Sequence, residues 1–340
     1  MSPKIKHIAV IRLSAMGDVA MTVPVLRAFV SQHPDVKITV VSRPFFKPFF
    51  DTIPQVHFFP IDLEKKHKGF LGLFRLYQTL KKLDVDALAD LHNVLRSKVL
   101  TAFFSLNGCK TATVDKGRKG KKELTRAKNK IFKPLPTMVQ RHQAVFAKLG
   151  FPTDLNDPKF PTFPKNPAKQ NQKWIGIAPF AQYETKVYPL DLMQQVINSL
   201  GENENYKIFL FGGGKKETTL LDAMAMGKTN VENFAGKVKL QQELEIIANL
   251  DVMLSMDSGN AHIAAMLGIK VVTLWGATHP FAGFAPFNQL LNNCLTPDRD
   301  KFPLLPTSVY GNKKVDGYEE AMRTITPERV VEKIQSVLTA

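Results

Sequence analysis

A strand, a tight turn, a small-residue helix and a second strand follow one another within residues 251–276, and that order leaves little choice of fold. The apolar run 252–256 ends in Asp257-Ser258-Gly259-Asn260-Ala261-His262. A helical pattern follows to Gly268, and a second apolar run, 270–275, leads to Gly276. Strands joined through a helix lie parallel, because the right-handed crossover is the one a right-twisted sheet accepts. Residues 7–41 repeat the plan. A buried-strand run over 7–13 meets the turn Ser14-Ala15-Met16-Gly17; a helix over 18–32 carries Val19, Val23, Leu26 and Val30 on one face; a strand follows over 36–41. Pro24, about two turns into that helix, predicts a kink or a tight start.

The alternation continues with helix 70–82, strand 87–91, helix 96–104 and helix 137–149, closed by Gly150. Residues 151–173 hold Pro152, Pro158, Pro161, Pro164 and Pro167 with little periodicity, which marks a linker. Strand 174–178, helix 190–200, strand 206–211, a helix from Glu217, a helix over 240–249 and the 251–276 unit come next. Thr326 caps a last helix with Pro327 at its first position. The fold class is α/β: two doubly wound, Rossmann-like parallel sheets. The expected boundaries are a first domain 1–155, a linker 156–173, a second domain 174–324, and a C-terminal helix 325–340 that returns to the first domain. Ligands of such sheets sit at the carboxyl ends of the strands, so both domains are expected to face one cleft.

Composition narrows the partners. A length of 340 residues favours two cores. Cys109 and Cys294 are too few for a disulfide framework or a four-cysteine metal site, and the start of the chain has no secretory h-region, so a reducing cytoplasm is expected. No apolar stretch approaches the ~20 residues of a membrane span. The net charge of +16 calls for an anionic partner: nucleic acid, acidic lipid or a phosphorylated substrate. Much of it lies in residues 110–133, where ten lysines and arginines face only Asp115 and Glu123, and a mobile loop or poorly packed helix is expected there. No aromatic residue occurs between Ser105 and Ile131, which weighs against single-strand nucleic acid. Residues 43–50, rich in Phe, could rest on a membrane; burial of the rings is the favoured reading.

Several side chains stand where ligands are expected. The helix start after Asp257 attracts phosphate, with Ser258 as cap, Gly259 allowing close approach, and Asp257 and His262 at the mouth. Trp275-Gly276-Ala277-Thr278-His279-Pro280 brings small and polar residues to the next strand end. Asp18 begins a helix and reads either as a cap or as a general base. Lys186 follows the first strand of the second domain and reads either as a surface charge or as a phosphate clamp. Gly212-Gly213-Gly214 lacks the G-x-G-x-x-G spacing, so dinucleotide binding is not read there. Asp84-Val85-Asp86 and Asp298-Arg299-Asp300 look like the paired acids of metal-dependent sugar transferases, but chance spacing accounts for them better. No histidine or cysteine set has metal-ligand spacing.

Ile11-Arg12-Leu13-Ser14-Ala15-Met16-Gly17-Asp18-Val19, taken with residues 256–262 and 275–280, resembles the two signatures of glycosyltransferase family 9, the ADP-heptose:lipopolysaccharide heptosyltransferases. The resemblance implies a GT-B fold, with acceptor on the first domain and nucleotide sugar on the second. It implies inverting, metal-independent transfer of a heptose or similar sugar from an ADP-sugar to a lipopolysaccharide inner-core acceptor, with no cofactor. Asp18 would be the base, and Lys186 would neutralise the diphosphate, with Tyr188-Pro189 where the family has Trp-Pro. Asp257, Ser258, Gly259, His262, Gly276 and Thr278 would hold the donor, and Glu217 would take the acidic nucleotide contact. Arg12, Arg96, Lys119, Lys121 and Lys122 would meet an anionic glycolipid acceptor. The implied place of action is peripheral, on the inner face of the cytoplasmic membrane, with no nucleic acid partner. A nucleotide-sugar epimerase of the same fold and a basic nucleic-acid-binding α/β protein are the alternatives.

Overall fold

The computed structural model describes residues 5–169 and 171–339 and divides into two units, each built on one parallel sheet. The first unit comprises Met1–Lys116 and Met138–Pro161; the second comprises Gly117–Thr137 and Thr162–Ala340.

The first unit opens with β1 (His7–Ile11), α1 (Met16–Ala20), α2 (Val23–Gln32) and β2 (Lys37–Ser42). Every residue of β1 is buried, as a central strand covered on both faces demands. The single helix expected over 18–32 is two. Pro24 has no N–H for a bond to residue 20 and sits near the start of a fresh helix, where none is needed. β3 (Val56–Pro60), α3 (Gly69–Lys81), β4 (Ala87–Asp90), α4 (Leu95–Leu106) and β5 (Lys110–Thr113) follow. The strand order is β3-β2-β1-β4-β5, with Ala9 beside Thr39 on one side and Leu88 on the other. Leu73, Leu76 and Leu80 of α3 and Leu100 and Phe104 of α4 pack with Ala9, Ile11 and Leu88 in one core. The chain winds outward from β1 to β3, then returns to β4 at the other side of β1. The topological switch therefore lies between β1 and β4.

α5 (Arg118–Thr125) groups with the second unit, and α6 (Met138–Leu149) returns to the first. The basic segment is thus a strand and a helix rather than a mobile loop, and its helix leaves the unit in which sequence order placed it. The second sheet is built from β6 (Lys173–Ala178), α7 (Leu190–Gly201), β7 (Tyr206–Leu210), α8 (Gly214–Ala225), β8 (Val231–Asn233), α9 (Leu240–Ile247), β9 (Val252–Met256), α10 (Gly259–Met266), β10 (Lys270–Leu274) and β11 (Cys294–Leu295). Its order, β11-β10-β9-β6-β7-β8, puts the switch between β6 and β9. The proline-rich stretch divides at Pro161, and its later part is pinned to the second unit: Asn166 N donates to Asn249 Oδ1 at 2.9 Å, and Lys169 Nζ to Asn249 O at 2.6 Å. The last helix, α11 (Pro327–Thr339), expected to return to the first domain, groups with the second unit. Val330, Ile334 and Val337 enter the core of the second unit, with α11 against α7 and β9.

Candidate active site

In the first unit the site grows from the ends of β1 and β4, the two strands that flank the switch. Arg12, the residue after β1, is 3% exposed. Its Nη1 donates to Leu91 O at 2.6 Å, and its Nη2 lies 2.5 Å from Asp18 Oδ2. Asp18 is the third residue of α1 and also accepts from Ala15 N at 3.3 Å, so it does what a cap does while its side chain stays 30% exposed. Arg96 is exposed in the first turn of α4, at the same end of the sheet.

Sequence reasoning missed His92. It follows Leu91, is buried, and its Nδ1 meets no hydrogen-bond partner among the described residues. Burial, then the positive charge of Arg12, pushes its pKa down to about 3, with Asp18 opposing. The loop carrying it is fixed by the buried Asp90, which accepts from His92 N, Asn93 N and Ser97 Oγ. Its position immediately beyond a buried strand, as for Arg12, is the signal that could have found it.

In the second unit, Lys186 closes a short 3₁₀ turn, Glu184–Lys186, after β6. Its Nζ donates to Asp257 O at 2.6 Å and to Asp257 Oδ2 at 3.2 Å. The same carboxylate oxygen accepts from Thr278 Oγ1 at 2.9 Å. These contacts join the ends of β6, β9 and β10 across the switch point. Glu217, in the first turn of α8 beyond β7, accepts from Gly213 N at 2.8 Å. Four adjacent strand ends thus carry Thr278, Asp257, Lys186 and Glu217 in sheet order.

The Lys186 turn is wedged in place. Ala277 N donates to Thr185 O at 2.9 Å, and a Cβ on Gly276 would fall 2.2 Å from that oxygen, so only glycine fits. Thr185 Oγ1 donates to Gly311 O, and the Lys186 stem lies where a Gly311 side chain would be. Tyr188 is fully buried and its hydroxyl donates to Ile325 O at 2.5 Å. Ser258 holds the N-cap position of α10 but does not cap it: its hydroxyl pairs with Ser255 Oγ at 3.0 Å. His262 is buried one turn further on. A helix start whose hydroxyl is turned away, with an ammonium alongside, suits a phosphate oxygen. Beside the turn opens a cavity of about 230 Å³, lined by Thr185, Gly276, Ala277, Thr307, Lys314 and Tyr318 among others.

The basic segment is anchored to the second unit through aromatic contacts. Phe132 stacks against His279 and Phe281, each at 4.9 Å, with the Arg299 guanidinium 3.5 Å above the Phe132 ring. Lys130 Nζ donates to Pro306 O at 2.7 Å. Burial, aided by Arg299 and Lys130, pushes the His279 pKa down to about 4. Of the three lysines expected to meet acceptor, Lys119 and Lys122 are exposed. Lys121 is buried, with Nζ 3.9 Å from the centre of the Phe284 ring. Asp86 accepts from Lys6 N and His7 N, and Asp298 from Asp300 N, so one acid of each pair is taken up by backbone N–H groups. Among the described residues, no group of three His, Cys, Asp or Glu side chains is placed to hold a metal ion.

Glycosyltransferase family 9 (heptosyltransferase) matches the chain over residues 73–307, which include Lys186, Glu217, Asp257, Ser258, His262, Gly276 and Thr278 and exclude Arg12 and Asp18. The lipopolysaccharide core heptosyltransferase OpsX of Haemophilus influenzae is 26% identical over 299 residues, covering 84% of this chain and 83% of its own. Lipopolysaccharide heptosyltransferase 2 of Salmonella typhimurium is 26% identical over 360 residues, covering 98% of each. Among solved structures, the ADP-heptose lps heptosyltransferase II of E. coli superposes with a TM-score of 0.69 at 20% identity, over 98% of both chains. That likeness is one of fold, two parallel-sheet units of the GT-B type.

Proposed function

The chain belongs to glycosyltransferase family 9, and on that premise we propose that it moves a heptose, or a closely similar sugar, from an ADP-sugar to a lipopolysaccharide inner-core acceptor, with inversion and without a metal ion, at the inner face of the cytoplasmic membrane. The observation that carries this reading is the Lys186–Asp257–Thr278 cluster at the start of α10. A departing ADP develops negative charge on its terminal phosphate. An ammonium and a helix N-terminus meet that charge where it forms.

In this reading the acceptor hydroxyl attacks the anomeric carbon as the bond from that carbon to the diphosphate oxygen breaks. One displacement inverts the centre. Asp18, oriented by Arg12, takes the hydroxyl proton. Glu217 accepts from nucleotide hydroxyls, and Arg96, Lys119 and Lys122 meet the acceptor's anionic groups. Relatives that act on lipopolysaccharide, and a structural neighbour named for ADP-heptose, support the choice of substrates.

Calorimetry with ADP and ADP-sugars, followed by product analysis with a core acceptor, tests the proposal. Saturable ADP-sugar binding and acceptor-dependent release of ADP are expected. Sugar isomerisation without acceptor would place the chain among epimerases, and salt-dependent duplex binding with no nucleotide affinity would overturn the reading altogether.

A further inference from the structure

We propose that the outer face of α3 and α4 is a docking surface for an anionic lipid bilayer. Both helices are apolar on two sides. One side enters the core through Leu73, Leu76, Leu100 and Phe104. The other faces water: Phe70 is 64% exposed, Leu71 71%, Leu95 80% and Leu106 88%, with Phe74 also exposed. Phe70, Phe74 and Tyr77 recur at helical spacing along α3, and each meets Phe103 of α4 with ring centres 5.4 to 5.5 Å apart. A surface aromatic cluster of this kind suits the headgroup layer, where rings sit between water and hydrocarbon.

Charge selects the occupant. Neither helix contains Asp or Glu, while both carry exposed cations, Arg75 and Lys81 on α3 and Arg96 and Lys98 on α4; the segment before α3 adds exposed Lys65, Lys66 and Lys68 against Asp62 and Glu64. Exposed rings on helices whose only charges are cations match a membrane surface carrying negative headgroups. None of the described helices is long and apolar enough to cross a membrane, so the contact is one of surface adsorption. The Phe-rich segment at 43–50 offers a single exposed ring, Phe45, because Phe46, Phe49 and Phe50 are buried, so it presents no aromatic cluster of this kind.

The placement also suits a lipid-borne substrate. In a parallel sheet each crossover helix begins at the carboxyl end of the strands. Phe70, Leu71 and Leu95, in the first turns of α3 and α4, therefore stand at the end of the first unit that carries Arg12 and Asp18. A glycolipid could keep its chains in the bilayer while its headgroup reaches that end. This last step rests on the acceptor class proposed above; the docking surface itself does not.

Flotation of the full chain with vesicles tests the surface directly. Vesicles of phosphatidylcholine alone are compared with vesicles in which roughly a third of the lipid is phosphatidylglycerol. The wild type is expected to float with the anionic vesicles and far less with the neutral ones. Phe70→Ser/Leu71→Ser/Phe74→Ser and, separately, Lys65→Gln/Lys66→Gln/Lys68→Gln are each expected to lower the partition coefficient by about tenfold or more. The lysine variant lies before α3 and keeps the test meaningful should the ring variant misfold. Circular dichroism and ADP calorimetry should be unchanged in both, so lost flotation with intact ADP binding is a membrane effect alone. Loss of nucleotide affinity in the wild type would sink the donor reading and leave this one standing. Equal flotation of variants and wild type overturns the surface. So does a wild-type dimer, seen by ultracentrifugation, that the ring variant splits while neither protein binds vesicles.

Discussion

Lys186 grips Asp257 twice, donating to its carbonyl oxygen at 2.6 Å and to its carboxylate at 3.2 Å. The two bonds fix an ammonium at the first turn of α10 and use two of its three donors, leaving one for a ligand oxygen. Replacing Lys186 with Ala should weaken ADP-sugar affinity by about ten- to a hundredfold, the worth of a charge-assisted bond, and slow transfer as well. Donor affinity measured by calorimetry and found equal to wild type would remove Lys186 from the phosphate.

Asp18 is both a cap and the candidate base, and two substitutions separate the roles. Asp18→Asn retains an oxygen for Arg12 and Ala15 N but cannot take a proton. It should lose about 10²–10⁴ in rate while keeping ADP affinity and melting temperature. Asp18→Ala should in addition cost about 1–3 kcal/mol, because the buried Arg12 loses that carboxylate. Near-normal turnover in Asp18→Asn would assign the residue to the helix alone.

Gly276 is a steric hinge-pin for the Lys186 turn. Its Cβ position lies 2.2 Å from Thr185 O. Gly276→Ala should therefore push the turn aside, lowering the melting temperature and donor affinity together. A crystal of this variant with Lys186 still within reach of Asp257 O would contradict the account.

Long buried runs made most of the two sheets legible. β1, β9 and β10 read as strands because both their faces are covered. β3 and β8, at or near sheet edges, gave no such run, and β5, spelled Lys-Thr-Ala-Thr, was hidden by the basic residues around it. Lys186, Asp257 and Thr278 were legible singly as strand-end residues, but nothing in a linear order shows that one carboxylate oxygen is shared by the other two. His92 went unnoticed because the charge that acts on its buried ring, Arg12, lies eighty positions earlier. The attachment of residues 117–137 to the second unit likewise rests on Phe132 meeting His279 and Phe281, a pairing made only in space.

Acid should loosen the fold before most carboxylates titrate. The His279 pKa falls from an ordinary 6.5 to about 4 in the folded chain, and that of His92 to about 3. Below pH 6.5 the unfolded chain takes up protons that these rings refuse, so their contribution is full above that pH and is lost as pH drops toward 4 and 3. The slope is at most about 1.4 kcal/mol per pH unit for each ring. Thermal melts between pH 7 and about 4.5 should show the decline, and His279→Gln, which can still accept from Phe281 N, should flatten it. Identical slopes for variant and wild type would exclude His279 as a source.

The lysines of α5 should divide by burial. Lys119→Gln/Lys122→Gln should raise the apparent acceptor KM and leave donor KM and stability alone. Lys121→Ala should cost about 1–2 kcal/mol through lost contact with Phe284, whichever substrate is tested. A donor effect from the exposed pair would take α5 away from the acceptor.

The excursion of residues 117–137 into the other unit has a consequence for how the protein is made and cut. A ribosome releases this strip before the sheet on which it lies exists, then supplies α6 to the unit already emerging, and only afterwards delivers β6. Neither half of the polypeptide is self-contained in sequence. A fragment cloned from residue 162 onward would lack the strip that covers His279 and Phe281 and should be prone to precipitate. Supplying residues 117–137 as a separate peptide, or grafting them onto the fragment through a loop, is the rational route to a soluble nucleotide-binding half.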